Sequence, residues 1–223
     1  LIICDYNYVL DPSVYLRRYF NSSCRDSLAL VDEAHNLIDR GREMFSAEIE
    51  DAQILDVARQ VKNRSPVLYR AAIAVISEFL IIRKMDPKFS SRGYLVQKEV
   101  PERILGFLQK LTFVMEEFVV KEGKTDFSDN LLRVYSNIQR FIRTAEEYDD
   151  DYTTVLSKPK EGLIKLKLFC VDPSKRLAVG FSKLSGVACF SATLQPQSYF
   201  KNLLGIGAKG HWYRLASPYP EKN

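Results

Sequence analysis

The chain of 223 residues lacks several features, and each absence removes a class of function. No apolar run approaches the roughly 18 residues of a membrane span. The densest, residues 67–82, is interrupted by Arg70, Ser77 and Glu78 and is closed by Arg83 and Lys84. No signal-peptide pattern is visible. Cysteine is sparse: Cys4, Cys24, Cys170 and Cys189 are scattered without metal-site spacing and sit mostly in apolar runs. That pattern reads as buried thiols in a reducing compartment, not as a disulfide framework or a zinc site. A phosphate-cradling loop is also missing. Gly123-Lys124-Thr125 copies the end of one, but no glycine stands five positions before Gly123, and a helical pattern precedes it where a strand is required. Gly205, Gly207 and Gly210 match G-x-G-x-x-G but follow a helical pattern and precede a strand-like one, the reverse of a dinucleotide site.

What is present is the material of a soluble globular protein. The apolar fraction is 46% and the charged fraction 27%, and 13 Phe and 12 Tyr supply a core. The net charge of +4 permits an anionic partner without demanding one. The chain opens inside an apolar, strand-like run with no initiator Met, so a fragment of a longer protein is expected.

The stretch that organises the rest is 28–37. An apolar run, Leu28 to Val31, stops at two adjacent carboxylates, Asp32 and Glu33, and His35 follows. Unalternating apolar runs of this length suit a strand buried on both faces of a parallel sheet. Ligands of such sheets lie beyond the carboxyl ends of the strands. A carboxylate there can hold a magnesium ion through water, and its neighbour can act as base or polariser for an attacking water. Acidic residues also favour helix N-termini, so a solvated turn is the plain alternative.

Residues 1–4 read as a second buried strand, with Tyr6 and Asn7 beyond its end as candidate ligand contacts. Asp11-Pro12 then starts a short helix over 14–20. Residues 187–190 read as a third buried strand, ending in Ser191-Ala192-Thr193, and the three are expected in one sheet.

Between the second and third strands the character is helical. Ile49, Ile54, Leu55, Ala58 and Val61 share a helical face. Residues 67–85 are apolar on most sides and suit the centre of a bundle. Residues 89–98 read as a loop. Pro101 opens a helix that Gly123 ends, and another covers about 128–148. Its acidic exit, 146–151, reads as solvated. Residues 152–157 and 163–170 read as strands, Asp172-Pro173-Ser174 begins a helix, 194–204 is helical with Gly205 as its cap, and 212–215 is a last short strand.

Val31-Asp32-Glu33-Ala34-His35-Asn36, followed after a helical insertion by Phe190-Ser191-Ala192-Thr193-Leu194, resembles the XPD/DinG-like family of superfamily 2 DNA helicases, in its bacterial branch. The segments 4–12, 168–174 and 217–220 resemble further landmarks of that family, in its order, so the likeness spans the chain. It implies α/β flanks, part of a RecA-like parallel-sheet motor domain, with a large, mainly α-helical inserted Arch domain. The divisions would be 1–41 for the first part of motor domain 1, 42–160 for the Arch, and 161–223 for the return to the motor. It implies ATP and Mg2+ as cofactors: Asp32 helps hold the metal, Glu33 polarises the hydrolytic water, and His35 links the nucleotide site to the coupling motif Ser191, Ala192 and Thr193. The partner implied is single-stranded DNA, in repair or replication, with a protein partner possible on the Arch. The protein would be a monomer, cytoplasmic and nucleoid-associated, with no membrane. The phosphate loop and the cysteines of a 4Fe-4S cluster would lie upstream, so the chain by itself is not expected to hydrolyse ATP.

A basic stretch, 59–92, includes Arg64, Arg70, Lys84, Lys88 and Arg92, with Tyr69, Phe89 and Tyr94 as stacking faces. These could contact phosphates and bases, or simply solvate outer helix faces. A non-catalytic Arch-type binding module and a DEAH-type RNA helicase remain as alternative readings.

Overall fold

The computed structural model describes residues 1–14, 16, 24–85, 89, 92–123, 126–158, 163–207 and 210–216, with backbone only at 24–26 and 85. The chain divides into two compact units: Leu1–Tyr15 with Asp39–Asp172, and Leu16–Ile38 with Pro173–Asn223. No helix among the described residues is long and apolar enough to cross a membrane.

The larger unit begins with extended residues and one helical turn, α1 (Asn7–Leu10). Most of helix α2 (Leu37–Phe45) belongs to it, followed by β2 (Ala47–Glu50), α3 (Asp51–Val61), α4 (Pro66–Met85), β3 (Tyr94–Gln97), α5 (Glu102–Glu122), α6 (Ser128–Glu146), β4 (Tyr152–Ser157) and β5 (Lys165–Cys170). The four strands form an antiparallel sheet in the order β2-β5-β4-β3. Register puts Ile49, Leu166, Leu156 and Leu95 in one cross-strand row and Ala47, Leu168, Thr154 and Gln97 in the next on that face. Ile49, Leu166, Leu156 and Leu168 are buried there. The opposite face carries Glu48, Lys167, Val155 and Val96 in one row and Glu50, Lys165, Ser157 and Tyr94 in another. This is the alternation expected of a sheet with one solvated face.

The core lies between that sheet and the helices. Ile54, Val57 and Val61 of α3, Leu68, Val75 and Phe79 of α4, Ile104, Leu108 and Leu111 of α5, and Leu131, Ile138 and Phe141 of α6 are all buried within one cluster. Their spacings of three, four and seven residues put each set on one helical face. Two buried polar residues tie sheet to helix. Ser46 Oγ donates to Arg42 O and accepts from Cys170 N at 2.9 Å. Asp51 Oδ1 accepts from Ile164 N at 3.0 Å, and Asp51 N donates to Ile164 O at 3.1 Å.

The smaller unit contains β1 (Cys24–Val31), a 3-10 turn (Ala34–Asn36), α7 (Ser174–Phe181), β6 (Leu184–Cys189) and α8 (Gln197–Leu203). β1 and β6 pair in parallel, with Ala29 opposite Val187 and Val31 opposite Cys189. The parallel pair and the helices around it agree with the α/β character expected of the flanks. Gly205 follows α8 with φ +69°, as its capping role requires.

Several local expectations are corrected. Residues 1–4 are extended but belong to no sheet, and Leu1, Ile2 and Ile3 are exposed. An apolar run needs a ladder partner before it becomes a strand, and none of the described strands pairs with it. Leu28 and Leu30 are about three-quarters exposed while Val31 is buried, so β1 is covered on one face only. Ile49 lies in β2, not on the helix. Residues 94–97, expected in a loop, are β3, because Leu95 completes the inner row of the sheet. Residues 212–215 are extended without a strand partner. The helix over 14–20 and the landmark at 217–220 fall almost wholly or wholly outside the described residues.

Candidate nucleotide and coupling site

The site is built where β1 and β6 end side by side. The parallel ladder continues one step past the strands: Phe190 N donates to Val31 O at 2.9 Å, and Ala34 N donates to Phe190 O at 3.1 Å. Asp32 and Glu33 lie between these two bonds and are pushed out of the ladder into solvent. Asp32 Oδ1 accepts the Glu33 N–H at 2.7 Å, which holds the turn. Glu33 takes φ 47°, ψ 41°, the left-handed region. It is the only described residue other than glycine with positive φ. Non-glycine residues held there cost roughly 1–2 kcal/mol. The fully buried Ala34 then anchors the 3-10 turn that leads into α2.

His35 joins the two motifs. Its Nδ1 lies 2.8 Å from Ser191 Oγ and 3.1 Å from Glu33 Oε2. The contact to Ser191 is a hydrogen bond whose direction follows the imidazole tautomer, and the contact to Glu33 is a close approach of carboxylate oxygen and ring nitrogen. Ser191 Oγ in turn accepts from Thr193 N at 3.3 Å. The result is a line of close polar contacts from Glu33 through His35 and Ser191 to the Thr193 backbone. Ala192 sits exposed in the middle of that turn.

The carboxylates suit a particular metal chemistry. No group of three or more His, Cys, Asp or Glu among the described residues could hold a metal by itself. Magnesium does not need such a cage: it keeps several waters and takes one or two carboxylates plus substrate phosphates. Asp32 and Glu33, exposed at a strand end, fit that partial role.

Cys189, the last residue of β6, is partly buried. Burial pushes its thiol up to about 11.

The remaining sequence-selected residues belong to the larger unit. Tyr6 is the N-cap of α1, and Asn7 opens it, its N–H donating to Asp5 Oδ1 at 3.0 Å. Asn7 Oδ1 is buried without a hydrogen-bond partner. Arg64 lies over the Phe127 ring at 5.2 Å. Arg70 donates from Nε to Pro66 O at 3.2 Å. Lys84 is exposed in the last turn of α4, and Arg92 is exposed ahead of β3. Lys88 lies outside the described residues. Two features of the site went unanticipated: the left-handed Glu33, and Phe190 as the residue that extends the ladder. The second had a signal, since Phe190 closes the apolar run before Ser191. The first had none, because glutamate is not a residue that marks positive φ.

A profile of the DEAD_2 family matches residues 1–54. The Fanconi anemia group J protein homolog of Gallus gallus is 35% identical over 60 residues, which cover 27% of this chain and 5% of that relative. The matched family segment contains β1, both carboxylates and His35, and it agrees with the XPD/DinG-like resemblance of the motifs. Residues 1–54 are thus similar to the DEAD_2 family, and the chain spans only a small part of the curated relative it matches.

Proposed function

We propose that the chain is part of an ATP-dependent helicase or translocase that acts on single-stranded DNA, in repair or replication. The observation that carries this reading is the line of close polar contacts from Glu33 through His35 to Ser191. It connects a carboxylate suited to polarising water with a turn on a different strand. A change in charge or position at Glu33 is thereby felt at Ser191.

In this reading Asp32 would help hold, through water, the Mg2+ of a bound nucleotide, which would supply neutralisation of phosphate charge. Glu33 orients and polarises the attacking water. His35 lies between Glu33 and Ser191 through Nδ1, so that the turn at 191–193 is linked to the carboxylate. The region 42–160 serves as the Arch, beside the path of the single strand. Tyr6, Asn7, Arg64, Arg70, Lys84, Lys88 and Arg92 are the candidate strand contacts. The phosphate loop, and a 4Fe-4S cluster if the protein has one, would be supplied by other parts of the full protein.

The test is ATP hydrolysis by the full-length protein containing this chain, with and without single-stranded DNA, beside Glu33→Gln. Turnover stimulated by DNA and lowered about 100-fold or more by the substitution is the expected result. Stimulation by RNA but not DNA would move the reading to an RNA helicase. No turnover by the folded, metal-replete protein would leave a binding module. Ser191→Ala separates coupling from chemistry: hydrolysis continues while DNA unwinding falls.

A further inference from the structure

The larger unit carries a groove whose apolar lining the motor reading does not use, and which shares only Arg70 with the candidate strand contacts. It runs between α4 and α5, has a volume of about 290 Å³, and is lined by Val67, Arg70, Ala71, Ala74, Phe107, Lys110 and Val114. Its floor is made of small residues: Ala71 is buried and Ala74 nearly so. Val67 is about half exposed, and nearby on α5 Phe113 is 60% exposed. Apolar surface of this kind, held in a concavity, marks an interaction site more often than scattered single residues do.

The charges around the groove decide what fits it. Arg70 and Lys110 are both exposed and line it from opposite helices. Neither has a carboxylate within 4.0 Å among the described residues. Several other cations of the unit are engaged: Arg59 pairs with Asp56 at 3.2 Å, Arg103 with Glu78 at 3.0 Å, and Arg64 lies over Phe127. Arg70 and Lys110 stand at the edges of an apolar trough. A phosphate backbone needs a run of cations along its path. Here two cations flank five apolar side chains.

We infer that the α4–α5 groove binds a short acidic amphipathic helix of a partner protein. Residues 67–74 of α4 span about 11 Å at the helical rise, which matches two turns of a ligand helix. Such a ligand places two apolar side chains, three or four residues apart, over Ala71 and Ala74. Its flanking carboxylates meet Arg70 on one side and Lys110 on the other. This helix-in-groove mode takes its affinity from the apolar anchors and its polarity from the rim charges.

The test uses the full chain and a fluorescein-labelled 14-residue peptide of leucine at i, i+3, i+4 and i+7 with glutamate elsewhere. A second peptide has lysine in place of glutamate, and a third probe is (dT)12. Binding of the acidic peptide is expected by anisotropy. It should weaken roughly tenfold or more in Arg70→Glu/Lys110→Glu, since each lost charge-assisted bond removes about that factor. Ala74→Phe, which fills the trough and keeps both cations, should abolish it as well. Circular dichroism confirms that each variant is folded. Equal binding of the lysine peptide overturns the inference. So does binding that survives Ala74→Phe, a failure of the acidic peptide to bind the folded chain, or displacement of the peptide by (dT)12. ATP turnover is not a readout here, so loss of turnover alone leaves the inference standing, and the (dT)12 arm reads out whether Arg70 serves the strand instead.

Discussion

Glu33 is held in a backbone conformation that few L-residues adopt, at the place where its carboxylate leaves the ladder. Strain of this kind persists only where surroundings over-determine it. Here the flanking bonds of Val31 and Ala34 to Phe190 fix both ends of the turn. Glu33→Gly should therefore raise the stability of the folded chain by about 1 kcal/mol, measured by urea denaturation, while removing the carboxylate. A loss of stability would mean that the bond to His35 outweighs the strain. Gly205 is the opposite case. It has φ +69°, and a Cβ there would lie 2.2 Å from Ser174 O and 2.8 Å from Ala178 N. Backbone atoms cannot swing aside, so Gly205→Ala should cost more than about 2 kcal/mol, read as a drop in the denaturation midpoint. At Cys189, burial raises the thiol from an ordinary 9.0 to about 11. The thiolate fraction at pH 8 is then about 100 times lower than for an unperturbed thiol. Iodoacetamide should label exposed Cys4 long before Cys189; rapid loss of the Cys189 thiol in native protein would contradict its burial.

At the scale of elements, the antiparallel sheet shows how one strand can serve two environments. Lys165 on β5 faces solvent between Glu48 and Glu50 of β2, with both oxygens at 2.9 Å. Hydrogen bonds to Glu48 and then Glu50 raise its ammonium above the usual 10.5. The protonated form is favoured by folding, so the contribution is complete below about pH 10.5 and is lost as pH rises through the higher folded value. The side chains are partly exposed, so the effect is small, below about 1 kcal/mol. Lys165→Met should lower stability at neutral pH by up to about 1 kcal/mol and flatten the alkaline limb of the stability profile. The buried Asp51 behaves differently. Its carboxylate takes the Ile164 N–H at the point where the chain enters β5. Removing it leaves that donor unpaired in the interior. Asp51→Ala should destabilise by about 1–3 kcal/mol in thermal or chemical denaturation.

At the scale of the molecule, one chain makes two compact units, and the chemistry-bearing motifs collect in the smaller one. Asp32, Glu33, His35, Ser191, Ala192 and Thr193 all belong to it, although about 155 residues separate the two motifs. The sequence contains no phosphate loop, so this chain by itself is expected to give no ATP turnover above buffer. Turnover that depends on Glu33 in the isolated chain would overturn that expectation.

Much of this was legible from residue order. The apolar run ending in Asp-Glu-Ala-His located β1 and the carboxylates at its end, because hydrophobic continuity and an abrupt polar stop are local properties. The periodic apolar stripe of α3 likewise named its buried face in advance, with Ile54, Ala58 and Val61 buried. Glycines at 123 and 205 marked helix ends by their conformational freedom. What required the tertiary structure was pairing. Residues 1–4 and 28–31 are similarly apolar, yet only the second run forms a strand, since a ladder needs a partner at the right register. Tyr94–Gln97 became a strand because β4 supplied one. The 2.8 Å bond between His35 and Ser191 could not be read from either motif alone. Composition and spacing determined which groups were available for chemistry; only the parallel docking of β1 against β6 decided that they meet, because non-local hydrogen bonds depend on geometry that no local stretch of sequence encodes.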